Sequence, residues 1–159
     1  MSFFDYPTGE FDPVEQPAAQ YLLADASEQD WADLLRYTRT RRFGSGEIVI
    51  SRGITDRTLF LIVEGTLEVL VPQTRGGSMR RVATLGAGSV IGELSFFDGE
   101  GRSASVRATT AGELAELNIA DFDAMAAQHP DLARRFLLDL GRILAQRLRL
   151  TVESPAAAG

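Results

Sequence analysis

The chain has no cysteine, no lysine and a single histidine, His129. Without thiols it can hold no disulfide, iron–sulfur cluster, thiolate zinc site or cysteine nucleophile, and one imidazole is a poor basis for a histidine metal site. A phosphodiesterase or similar enzyme would need a metal cluster or a general-base constellation, so the chain is read as non-enzymatic. Long apolar runs are missing as well. None approaches the roughly 18–20 residues of a membrane-spanning helix, and Met1-Ser2-Phe3-Phe4-Asp5 lacks the basic and apolar regions of a signal peptide. The expectation is a soluble, unexported, cytoplasmic protein with no membrane partner. An excess of base is missing too: 16 Lys and Arg against 22 Asp and Glu give a net charge of −6, which disfavours sequence-independent nucleic-acid binding.

What is present suits one globular domain, because 159 residues with 45% hydrophobic and 24% charged side chains can bury a single sizeable core. The acids are unevenly spread. Asp5, Glu10, Asp12, Glu15, Asp25, Glu28, Asp30 and Asp33 fall in residues 1–33 with no base among them. Residues 1–26 are therefore set apart as an acidic arm, with Phe3, Phe4, Tyr6 and Phe11 between Pro7, Pro13 and Pro17, and residues 153–159 as a flexible tail. Residues 27–152 remain for the domain.

Ser27-Glu28-Gln29-Asp30 has the form of a helix start, and the spacing of Trp31, Leu34 and Leu35 predicts a short helix near 28–37. From residue 47 to 118 the texture changes to short β-branched and aliphatic runs, at 47–50, 58–64, 66–71, 80–85, 103–108 and 113–118, separated by glycines. Strands this short and frequent argue for a mainly β domain of jelly-roll or β-roll type with flanking helices. Helical periodicity then returns over 119–127 and, after His129-Pro130, in a long run over 132–151. Leu137, Leu140, Leu144, Leu148 and Thr151 lie on one stripe of that long C-terminal helix, with Phe136 and Ile143 beside it. Its arginines, Arg134, Arg135, Arg142, Arg147 and Arg149, read as a solvated face. His129, at a helix break without a reactive neighbour in the sequence, reads as structural or solvent-exposed rather than catalytic.

The chemistry concentrates in Ser89-Val-Ile-Gly-Glu-Leu-Ser-Phe-Phe-Asp-Gly-Glu-Gly-Arg-Ser-Ala-Ser-Val-Arg-Ala108. Ile91 leads into Gly92, which has no side chain where a ligand could approach the backbone, and Glu93-Leu94-Ser95 would open a helical turn whose amides suit an anion. Arg102 adds a fixed cation with several donors and Ser103 a hydroxyl, while Glu93 is an acceptor suited to a ribose 2′-hydroxyl. A carboxylate beside a phosphate site makes sense when the ligand carries a hydroxyl next to its phosphate, as a nucleoside cyclic phosphate does. Gly86-Ala-Gly88-Ser-Val-Ile-Gly92 misses the dinucleotide fingerprint, because residue 91 is Ile and no βαβ unit surrounds it.

Gly92-Glu93-Leu94 followed at this spacing by Arg102-Ser103-Ala104 resembles the phosphate-binding cassette of the cyclic nucleotide-binding domain family. The likeness extends over about residues 30–152 and is strongest to the sensor half of bacterial catabolite-activator (Crp/Fnr-like) regulators. It implies a β-roll flanked by helices in which Glu93 and Gly92 hold the ribose, Arg102 and Ser103 hold the cyclic phosphate, and Leu94 and Ala104 frame the site. Arg147 and Thr151 fall where the related regulators bring polar groups towards the purine. Val152 departs from the pattern, since those regulators supply a serine there from the neighbouring subunit. The resemblance further implies a regulatory ligand, cAMP foremost with cGMP open, and no cofactor. A homodimer or a protein effector is the expected output, without direct DNA binding because the sequence stops before a helix-turn-helix domain. The expected function is a stand-alone cyclic nucleotide sensor signalling through its C-terminal helix. The competing reading is a ligand-independent interaction or dimerisation module. Replacing Arg102 by Ala is expected to lose nucleotide affinity with little change in the unfolding of the free protein.

Overall fold

The structure, a computed structural model, describes residues 21–73 and 76–153. The first 20 residues of the expected arm and residues 154–159 of the expected tail lie outside the described residues. The elements run α1 (Glu28–Leu35), β1 (Arg39–Phe43), β2 (Ile48–Ile50), β3 (Thr58–Glu64), β4 (Leu67–Pro72), β5 (Met79–Leu85), β6 (Val90–Ile91), α2 (Glu93–Asp98), β7 (Ser105–Ala108), β8 (Gly112–Asn118), α3 (Ile119–Gln128) and α4 (Pro130–Glu153). The eight strands form two four-stranded antiparallel sheets of order β1-β8-β3-β6 and β2-β7-β4-β5. Apart from the β4–β5 hairpin, which stays within one sheet, successive strands alternate between the two sheets, the winding of a jelly roll.

Side-chain alternation along β3 and β8 assigns two cores. Phe60, Ile62 and Leu114 point into the roll and pack with Leu67, Val69, Leu85, Ile91 and Val106. Leu59, Leu61, Ala115 and Leu117 point to the opposite face and pack against Leu34 of α1, Phe122 and Met125 of α3, and Leu132, Phe136, Leu140 and Ile143 of α4. Phe96 of α2 joins this second core, edge-on to Phe122 at 5.7 Å and to Phe136 at 6.4 Å between ring centroids. Phe96 thereby ties the short helix that opens the candidate cassette to both C-terminal helices.

Several expectations are corrected by packing. β1 reads Arg-Thr-Arg-Arg-Phe and carries no strand periodicity, yet its backbone pairs with β8 from Arg39↔Glu116 to Phe43↔Gly112. The strand expected from residue 103 begins at Ser105, because residues 103–104 form a bend. On α4 the buried stripe is Leu132, Phe136, Leu140, Ile143 and Arg147, whereas Leu137 and Leu148 are each 39% exposed. The aromatic contacts of Phe136 rotate the helix away from the expected stripe. Of the α4 arginines expected on a solvated face, Arg134, Arg135, Arg142 and Arg149 are exposed, Arg135 reaching Asp30 of α1 and Arg142 pairing with Asp139, whereas Arg147 is buried. His129 caps α3 and sits edge-on to Tyr37 at 6.0 Å. No helix among the described residues is long and apolar enough to cross a membrane.

Asp30 ties α1 to α4. Its carboxylate accepts two hydrogen bonds from the Arg135 guanidinium at 3.0 and 2.8 Å and one from the Ser27 amide at 3.1 Å. The Arg135 bonds, followed by that from Ser27, hold the Asp30 carboxyl well below the usual aspartate range. Its lowered pKa adds stability that is present above the unfolded-state value and is lost as pH falls below the ordinary carboxylate range. Asp30→Asn should therefore lower the thermal midpoint at neutral pH, and the gap to the wild type should narrow steadily in thermal melts taken at increasingly acid pH.

Candidate functional site

The site begins at a backbone constraint. Gly92 links β6 to α2 with φ +81°, and a Cβ there would lie 2.5 Å from Arg102 Nη1 and 3.0 Å from the Thr58 carbonyl oxygen. Glycine is thus required both by its left-handed conformation and by the closeness of the arginine. No side chain caps the first turn of α2, which ends at Gly99, again left-handed. Arg57 anchors the other end of this helix by donating to the carbonyls of Phe96 and Phe97.

Arg102 is 5% exposed. Its Nη1 donates to the Gly92 carbonyl at 3.1 Å and its Nη2 to the Thr58 carbonyl at 2.8 Å, and Nη2 lies 3.3 Å from Asp56 Oδ2. The guanidinium carbon stands 5.3 Å from the centre of the Phe60 ring. Burial lowers the pKa of Arg102 from its ordinary value, and Asp56 and then Glu93 pull it back. It remains a cation, because arginine does not deprotonate in proteins.

Glu93 is buried as well and has its own counterion. Arg147 of α4 donates from Nη1 to Glu93 Oε1 at 2.6 Å and from Nη2 to the Val90 carbonyl at 2.9 Å. The helical cover and the cassette are joined at this point by an ion pair whose side chains are 9% and 6% exposed.

Ile91, Gly92, Glu93, Leu94, Ser95, Arg102, Ser103, Ala104 and Arg147 line one cavity. Nine of the ten residues singled out in the sequence therefore converge. Thr151 does not: its hydroxyl donates to the Arg147 carbonyl one turn back at 3.0 Å. The sequence reading missed the apolar wall made by Ile50, Val69, Leu85 and Val106. The inward alternation of β2, β4, β5 and β7 carried that signal. It also missed the ring of Asp56, Thr58 and Phe60 around Arg102, for which no spacing gave a sign. The cavity has a volume of about 40 Å³, room for little more than a water. A larger groove of about 490 Å³ lies elsewhere, between residues 23–26 and α4, where Arg135 and Arg142 are committed to Asp30 and Asp139.

The chain is similar to proteins built on this same arrangement. A model of the cyclic nucleotide-binding domain matches residues 40–129. The cAMP-activated global transcriptional regulator CRP of Salmonella typhimurium is 35% identical over 120 residues, which cover 75% of this chain and 55% of that regulator. Glutaminase 1 of Bradyrhizobium diazoefficiens is 31% identical over 139 residues, covering 87% of this chain and 22% of the enzyme. The chain thus spans about half the length of the regulator and a smaller part of the enzyme. A crystal structure of a cyclic nucleotide-binding domain from Methylobacillus flagellatus superposes with a TM-score of 0.74 at 28% identity, over 83% of this chain and 74% of that one. The family-wide role is regulatory rather than catalytic, and the match to the glutaminase involves only a part of that protein. With its jelly roll, its cassette glycine and its Glu93 and Arg102 walls in place, the chain belongs to the cyclic nucleotide-binding domain family.

Proposed function

We propose that the chain is a sensor for a cyclic mononucleotide, cAMP in the first place and cGMP in the second, and that binding is reported through α4. The observation that carries this reading is the meeting of Gly92-Glu93 and Arg102-Ser103, from two separate segments, on one cavity with an anion on one wall and a cation on another. In this reading the Glu93 carboxylate accepts from the ribose 2′-hydroxyl, the first amides of α2 and the Ser103 hydroxyl donate to the cyclic phosphate, and Arg102 balances its charge. The apolar wall of Ile50, Val69, Leu85 and Val106 excludes water from these bonds and strengthens them.

Entry of a ligand has a structural consequence. Small-molecule pockets commonly enclose roughly 300 Å³ or more, and about 40 Å³ is open. Admitting a ligand requires the lining groups to separate; in this reading Arg147 releases Glu93, and α4, which carries Arg147, shifts as it does so. The ligand shifts this equilibrium by its differential affinity for the two arrangements. The surface that would register the shift is the outer side of α4, where Leu137, Leu148 and Val152 are exposed. A second copy of the chain or a protein effector would read it. The same small cavity and the mutual satisfaction of Glu93 and Arg147 are what favour the competing reading, an interaction module that works without ligand.

Calorimetric titration of nucleotide-free protein with cAMP and cGMP separates the two, with a Kd on the order of micromolar or tighter expected for one of them. No heat at two temperatures for either nucleotide would leave the interaction module. Arg102→Ala should weaken binding by about 2 kcal/mol, roughly thirtyfold. Contrary to the expectation from sequence, it should also lower the melting temperature of the free protein, since Arg102 is packed against two carbonyls and Asp56. Arg147→Met should destabilise the free protein by about 3 kcal/mol, because it leaves Glu93 buried and unpaired. Adding Glu93→Gln should restore much of that loss in denaturant melts.

A further inference from the structure

The Arg102 guanidinium is a partition between two hollows. On one side is the cavity at which nucleotide binding is proposed, and on the other an open cleft of about 250 Å³ whose lining includes Arg41, Asp56, Thr58, Phe60 and Glu116. Asp56 meets the guanidinium from the cleft side only and does not line the first cavity. Its orientation is fixed, because Thr58 Oγ1 donates to Asp56 Oδ1 at 2.8 Å and leaves Oδ2 turned to Arg102 Nη2 at 3.3 Å.

The two members of this ion pair differ in exposure. The Arg102 side chain is 4% exposed and that of Asp56 48%. A buried cation cannot be left without an anion, whereas a half-exposed carboxylate recovers most of its hydration when it lets go. The backbone keeps the two charges within reach: Gly53 N donates to the Arg102 carbonyl at 2.8 Å and Arg102 N to the Ile54 carbonyl at 2.9 Å, while Thr55 and Gly101 form a β-bridge. The loop that carries Asp56 is thus stitched to the segment that carries Arg102.

We infer that Asp56 is a built-in competitor of the ligand phosphate for Arg102, and that it sets the affinity of the site without touching the ligand. The inference rests on the nucleotide-sensing reading and adds to it the residue that tunes it. In the free protein Asp56 supplies the counterion that the buried guanidinium requires. A cyclic phosphate arriving from the opposite face must draw the guanidinium from that partner, and part of its attraction is spent in doing so. Removing the Asp56 charge therefore has effects of opposite sign on the two states: the free protein loses stability, and the complex gains affinity. A residue with a purely structural role would lower both.

The test is calorimetric titration of the full chain with cAMP and cGMP, in phosphate-free buffer, for the wild type, Asp56→Asn, Asp56→Ser and Glu100→Gln. Glu100 is an exposed acid two residues from Arg102 and reports the effect of net charge alone. The two Asp56 variants should bind about fivefold tighter than the wild type, melt at a lower temperature when free and show a larger ligand-induced rise in melting temperature. Glu100→Gln should match the wild type. Wild-type binding with equal or weaker binding by the Asp56 variants overturns the inference and leaves the nucleotide-sensing reading standing. Equal tightening in Glu100→Gln overturns it too, because the effect is then one of net charge. Silence from the wild type together with measurable binding by an Asp56 variant supports both readings, and silence from all four proteins overturns both.

Discussion

Strand β3 is apolar on both faces, and the arrangement of the molecule follows from that constraint. Phe60 and Ile62 fill the roll, while Leu59 and Leu61 look outward and require cover. Water cannot be the neighbour of that outer face, so α1, α3 and α4 pack over it. Once Phe136, Leu140 and Ile143 of α4 are seated there, the helical period carries Arg147 onto the same face, and its guanidinium reaches over β6 to Glu93. The contact between cover and cassette is thus a by-product of hydrophobic packing. A helix placed by apolar contacts delivers a charged group to a site that lies beyond the end of the apolar stripe.

The polar logic of the site follows from burial. Arg102, Arg147 and Glu93 are each nearly sealed from solvent, and such groups persist only when paired and hydrogen-bonded. Arg147 answers Glu93, and Asp56 with two backbone carbonyls answers Arg102. In the free protein the groups suited to a sugar phosphate are thereby engaged with internal partners, so a ligand would exchange one set of charge contacts for another.

Much of the fold was legible in the sequence. The β-branched run over 58–64 coincides with β3, and the runs at 80–85 and 113–118 fall within one residue of β5 and β8. β3 is a continuous apolar run because both of its faces are covered, and such a run is visible in the sequence. The misses have a common cause. β1 is held by backbone hydrogen bonds to β8 and needs no apolar pattern, and β6 is too short to show one. The stripe of α4 was misplaced because four leucines and a threonine at plausible spacings compete with the true one, and the aromatic cluster with Phe96 and Phe122 selects the face.

The site divides along the same line. Its local part, Gly92-Glu93-Leu94 and Arg102-Ser103-Ala104, was readable because a tight turn demands glycine and because the residue types of the cassette are close in the chain. The sequence by itself thus determined the jelly roll, the cassette and the family. Only the tertiary structure decided which partners the buried charges take, since Asp56 and Arg102, like Glu93 and Arg147, are brought together from distant segments by packing that no local period encodes. It also decided that Thr151 turns back onto its own helix and that the cavity between these groups is small. Pairing of buried charges depends on which faces are sealed from water, and that is a property of the assembled layers rather than of any one segment.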